Sequence, residues 1–181
     1  MKRRTFTDVG HAHFLTFSCF HRHQFLTSDF ARRCLCDAIA FARARHNFAL
    51  WAYVIMPEHV HLLIHPHREE YSIAAVLRDI KEQPSRRVIE WLRQETPWVL
   101  KKMEARQGRR VVHRLWQAGG GYDRNLFSGE TIRRAIEYIE WNPVKRQLVE
   151  CPCDWAWSSA RARAGAADVP LSIDDIDVML T

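Results

Sequence analysis

Apolar residues recur along the chain in two rhythms, and the change from one to the other marks out the elements. Residues 13–20 (HFLTFSCF) are rich in Phe and Thr with partial alternation, which predicts a strand. Ser28 then offers an N-cap. Phe30, Cys34, Ala38, Phe41 and Ala42 return at helical spacing, with Arg32, Arg33, Arg43 and Arg45 on the wet side. Residues 48–56 (FALWAYVIM) and 59–65 (HVHLLIH) are β-branched and aromatic runs separated by Pro57-Glu58, the pattern of a hairpin. A second helix is expected from about Ser72, carrying Ile73, Val76, Leu77 and Ile80 inward. It is expected to kink or break at Pro84 before resuming as SRRVIEWL. Residues 96–110 read as a charged connection, and 111–117 and 122–127 as short strands flanking Gly119-Gly120-Gly121. A third helix follows, capped by Ser128, striped by Ile132, Ala135, Ile136 and Ile139, and stopped at Asn142 by Pro143.

Strand, helix, strand, strand, helix, strand and a further helix is the order of an α+β protein. It predicts a ferredoxin-like split βαβ with an antiparallel sheet and an appended C-terminal helix that would carry catalysis. The length of 181 residues suits one domain, with a core over about 10–160 and a tail over 161–181 that packs or stays partly mobile.

A hydrophobic fraction of 47% excludes the disordered and collagen-like classes. The formal charge of +6 favours an anionic partner, with a nucleic-acid backbone first among candidates. Asp168, Asp174, Asp175 and Asp177 crowd the last segment, so the remainder is more basic than the average. Cysteines at 19, 34, 36, 151 and 153 form neither a disulfide framework nor a zinc ribbon and read as reduced thiols. The opening residues lack the apolar stretch of a signal peptide, and no window approaches 18 uninterrupted apolar residues. The expected location is the cytoplasm, at the nucleoid.

On a strand, His59 and His61 share a face opposite Val60, Leu62 and Ile64. Two imidazoles at fixed separation suit a divalent metal with open coordination positions, although a His-x-His pair alone is equally a polar surface pattern. On the third helix, Tyr138 and Asn142 are four residues apart and share a face; Tyr138 alone is more often a boundary-packing residue. Taken as a set they are coherent. A phenol is a weak nucleophile until its phenolate is stabilised, and two imidazoles with the Asn142 amide oxygen would make a cage for Mg²⁺ or Mn²⁺.

The segments MPEHVHLLI (56–64), LWQAGGGYDRNLF (115–127), YIEWNPVKRQLVE (138–150) and DWAWSSA (154–160) resemble, in order and spacing, the REP-associated tyrosine transposases, single-tyrosine HUH enzymes of the insertion-sequence-200-like superfamily. The resemblance implies a metal-dependent single-strand DNA endonuclease and strand transferase acting at hairpin or palindromic repeats through a 5′-phosphotyrosine. It implies Tyr138 as nucleophile, His59 and His61 as HUH ligands, Asn142 as the helix-borne ligand, and work as a monomer or homodimer. Two departures stand out: Gln147 occupies a position where such proteins often have glycine, and Pro84 interrupts a helix that usually bears basic DNA contacts. Arg3, Arg4, Lys81, Arg86, Arg87 and Arg110 are candidate DNA contacts, with Trp116 and Tyr122 as stacking residues. The tryptophans at 51, 155 and 157 read as core. The rival readings are a catalytically silent, domesticated hairpin-binding protein of the same ancestry, an RNA-binding module with bystander histidines, and a metallohydrolase using water.

Overall fold

The computed structural model describes residues 10–176, so Arg3 and Arg4 lie outside the described residues. Strands β1 (Ala12–Ser18), β2 (Phe48–Ile55), β3 (His59–Pro66) and β6 (Tyr122–Leu126) form one sheet in the order β2-β3-β1-β6. Every neighbouring pair is antiparallel. With α1 (Asp29–His46) and α2 (Ile73–Glu95) as its crossovers, this is the expected ferredoxin-like split βαβ.

Both faces of the sheet are covered. Leu15, Phe17, Val60, Leu62 and Ile64 meet α1 and α2 on one side. Ala12, Leu63 and Leu126 meet α3 (Gly129–Glu140) on the other, through Ile132, Ile136 and Ile139. A register shift at Leu50/Ala52 lets β2 serve both cores: Leu50 and Tyr53 face α1 and α2, while Trp51 and Ala52 face α3.

Three sequence expectations need correction. The α1 stripe runs through Ala31, Leu35, Ala38, Ile39 and Ala42, leaving Phe41 exposed and burying Arg32. The Arg32 guanidinium lies over the rings of Trp155 and Trp157, at 5.2 and 5.6 Å from their centroids. Residues 96–110 are not a bare connection. They hold a 3₁₀ stretch (Pro97–Met103) and the first strand of a hairpin, β4 (Glu104–Gln107) with β5 (Arg110–His113), so β5 pairs with β4 and does not flank the glycines. Finally, α2 passes through Pro84 without a break. Proline removes the donor that would reach the Ile80 carbonyl, and the next carbonyl, that of Lys81, accepts from Ser85 Oγ at 2.6 Å and from Trp116 Nε1 at 3.0 Å.

Trp51 and Trp157 are buried, and Trp155 is half-buried against both cores. All five cysteines are free. Residues 157–174 run along the outer edge of β2: Ile55 N–H donates to the Trp157 carbonyl and Tyr53 N–H to Ser159 Oγ. Leu50 N–H donates to Asp174 Oδ2 and accepts back through its carbonyl from Asp174 N–H. Among the described residues no helix is long and apolar enough to cross a membrane.

Candidate active site and metal centre

β3 opens with His59 and His61 on the face that α3 covers. Sequence alternation places them opposite Val60, Leu62 and Ile64, but the covering helix leaves each histidine only 5% exposed. Their Nε2 atoms are 3.1 Å apart. His59 Nδ1 donates to Glu58 Oε1 at 2.9 Å, and a carboxylate can only accept there, so the lone pair of His59 sits on Nε2. His61 Nδ1 bonds Thr16 Oγ1 at 2.7 Å across the β1–β3 register.

α3 ends at Glu140, and Trp141 keeps a right-handed helical backbone before the short α4 (Asn142–Lys145) begins. Pro143 therefore opens a new helical turn, where its missing N–H is free of cost, and does not divert the chain. That continuity sets Tyr138 at the rim, 44% exposed, and Asn142 on the floor, 6% exposed. The Tyr138 ring stands edge-on to His61 at 5.4 Å and to Phe14 at 5.9 Å. Lys145 Nζ lies 5.1 Å from the Tyr138 ring centre. Asn142 Nδ2 is 3.3 Å from His61 Nε2, and Asn142 Oδ1 is buried without a hydrogen-bond partner.

Burial dominates the electrostatics. It lowers both imidazoles, with His59 and Arg22 adding to push His61 down to about 3, while Glu58 partly opposes the shift at His59. Both rings are thereby kept neutral, the form that ligates metal.

Two facing imidazole nitrogens and an orphaned amide oxygen suit a hard or borderline divalent cation. The cis edge of an octahedron with bonds of about 2.1 Å is about 3.0 Å, close to the observed 3.1 Å separation. A half-turn of the Asn142 amide would bring Oδ1 to the side of His61 Nε2. Among the described residues no cluster of three or more His, Cys, Asp or Glu side chains could hold a metal, so the amide is the third donor available to this pair.

The remaining candidates are dispersed. Lys81 Nζ donates to the Gly119 carbonyl at 3.3 Å and lies over Phe17; burial lowers its pKa to about 8. It lines a cavity of about 620 Å³ with Gly119, Gly120 and Gly121. Arg86 is exposed and paired with Glu82, and Arg87 pairs with Asp37 at 2.9 Å. Arg110 is exposed on the β4–β5 hairpin. Tyr122 is 41% exposed. Trp116 is 8% exposed, edge-on to Phe17 and bonded to α2, which leaves its ring little face for a base.

Sequence reasoning missed Thr16, Glu58, Arg22 and Arg146. Glu58 adjoins the first histidine and could have been suspected as its orienting carboxylate; the others reach the site only through the fold.

The site is thus a helix bearing a tyrosine, laid over a ferredoxin-like sheet beside an imidazole pair. The solved structure of a REP-associated tyrosine transposase bound to a REP hairpin shares this fold, with a TM-score of 0.65 and 22% identity over 96% of this chain and 92% of that one. A protein of Deinococcus radiodurans R1, provisionally assigned as a transposase, aligns at TM-score 0.46 and 22% identity over 77% of this chain and 96% of that one. No curated protein matches. The chain belongs to the IS200-like transposases, whose family model matches residues 9–142.

Proposed function

We propose that this transposase is a divalent-metal-dependent single-strand DNA endonuclease and strand transferase, acting as one domain with Tyr138 as nucleophile. The observation that carries the reading is the meeting of His59 Nε2, His61 Nε2 and the buried Asn142 amide beneath an exposed tyrosine. Mg²⁺ or Mn²⁺ held by these three would neutralise charge developing on the phosphoryl group.

The Tyr138 oxygen attacks a backbone phosphorus, forming a 5′-phosphotyrosine. The phosphorus–O3′ bond breaks, and the strand leaves with a 3′-hydroxyl while the phenol gives up its proton. A second 3′-hydroxyl reverses these changes and rejoins strands, since the bond energy is kept in the phosphotyrosine. Neutral histidines and a single amide oxygen leave the centre net positive when loaded, as an anionic diester requires.

The related structure bound to a REP hairpin supports hairpin DNA as the substrate class. The protein would work as a monomer or homodimer. The test is incubation of the protein with labelled single-stranded DNA bearing palindromic hairpins, with and without Mn²⁺, followed by denaturing electrophoresis. A denaturation-resistant adduct that needs both metal and Tyr138, and is absent from Tyr138→Phe, is expected. Tight hairpin binding with confirmed metal loading and no adduct would turn the reading to a silent DNA-binding protein.

A further inference from the structure

Glu58, 5% exposed, is shared by more than its histidine. Its Oε1 atom accepts from His59 Nδ1 at 2.9 Å and from Arg146 at 2.8 Å, and Arg22 stands at 3.5 Å. The two arginines arrive from opposite parts of the chain and keep their side chains 61% (Arg22) and 54% (Arg146) exposed. One buried carboxylate thus faces two half-exposed guanidiniums, leaving a positive excess beside His59, close enough to act on both imidazoles.

The backbone around each arginine is costly. His21 and Arg22 occupy the left-handed region at φ 50° and 55°, which non-glycine residues rarely adopt, and Gln147, directly after Arg146, does so at φ 56°. The turn holding Arg22 is bound on several sides. Cys19 N–H donates to the Glu58 carbonyl, Phe20 N–H to the Leu115 carbonyl and His21 N–H to Gln117 Oε1. Such a turn aims a side chain that a relaxed loop would leave free.

We propose that Arg22 and Arg146 form a clamp for a backbone phosphate of single-stranded DNA at the mouth of the His59–His61–Asn142 centre, with Glu58 holding both guanidiniums in place. The inference rests on the nuclease reading for its ligand, but the clamp binds phosphate whether or not Tyr138 reacts. Guanidinium forks recognise phosphate oxygens in bidentate fashion, and Glu58 Oε1 engages only part of each fork.

The test uses the full chain carrying Tyr138→Phe, metal-free and with Mn²⁺, and a labelled single-stranded hairpin oligonucleotide titrated across salt concentrations. Each lost phosphate contact lowers the slope of log affinity against log salt by about 0.7. Arg22→Gln and Arg146→Gln are each expected to lower the slope by part of that amount, and the pair together by about 0.7, since both hold one phosphate. Arg146→Lys, keeping the charge, should restore most of the slope, and Mn²⁺ affinity should stay within about twofold of the parent. Unchanged slopes with weakened Mn²⁺ binding would overturn the clamp and make the arginines mere supports for Glu58. An absent adduct in the protein with Tyr138 intact, with the slope changes preserved, would sink the nuclease reading and leave the clamp standing.

Discussion

Asn142 and His61 lie 81 positions apart in the chain, yet the Asn142 amide nitrogen stands 3.3 Å from His61 Nε2. The helix that carries the tyrosine and the strand that carries the histidines are thereby held in register at one atom pair. The arrangement leaves Asn142 Oδ1 buried and unbonded, at a cost of about 1–3 kcal/mol.

Asn142→Leu is therefore expected to leave the metal-free protein at least as stable, since it removes the orphaned oxygen at similar volume, while abolishing the rise in Tm on adding Mn²⁺. Thermal unfolding with and without the metal checks both halves. A full metal-induced shift in the variant would remove Asn142 from the ligand set.

Thr16 and Glu58 orient the imidazoles without reaching the metal position. Loss of such partners typically costs about 10–100-fold in metal affinity. Thr16→Val and Glu58→Gln should each show a loss of that order by titration calorimetry with Mn²⁺, with secondary structure unchanged by circular dichroism.

His61 is held near a pKa of 3 against 6.5 for the free side chain, so between those values the unfolded chain binds a proton that the folded one refuses. Its contribution is fully present above pH 6.5 and is lost as pH falls toward 3, with a limiting slope of about 1.4 kcal/mol per pH unit. Denaturant melts of His61→Ala and the parent at pH 7 and pH 5 should show a shallower acid dependence in the variant. Parallel dependences would contradict the assignment.

Glycine matters unequally in this chain. A Cβ at Gly121, already at φ 78°, would stand 2.2 Å from the Thr16 carbonyl oxygen, whereas Gly120 has open space. Gly121→Ala is expected to cost about 3 kcal/mol or more and Gly120→Ala less than about 0.5 kcal/mol in chemical denaturation. At Gln147 the sign reverses: its left-handed backbone should make Gln147→Gly neutral or stabilising by up to about 1 kcal/mol.

The elements with strong apolar rhythm were legible from the residues alone. β2, β3 and α3 have burial patterns that follow their sequences, and the His59–His61 pair follows from period-two alternation on β3. β5 overlaps the expected strand over 111–117, but its partner β4 was not legible, because EARQ is largely exposed and carries no core-facing rhythm to betray it. Pro84 argued for a break because nothing local announces that the neighbouring Lys81 carbonyl is anchored by Trp116, 35 positions away. Phe41 and Arg32 exchanged their expected roles, since two tryptophan faces offer a guanidinium a place that hydropathy cannot foresee. The same reason hid Arg22 and Arg146: 36 and 88 positions separate them from Glu58. The glycine preference noted at residue 147 does have a visible cause, a left-handed backbone directly after the helix turn.

The segment along the outer edge of β2 has a consequence for solubility. Leu50, Tyr53, Val54 and Ile55 belong to an eight-residue strand without a charged side chain, FALWAYVI, whose free edge would offer other chains a template for pairing. Trp157, Ser158, Ser159 and Asp174 occupy that edge with their own hydrogen bonds and a bridge to Val54. A chain ending before Trp157 would keep its histidines, its tyrosine and its asparagine, and would still lose them to the pellet.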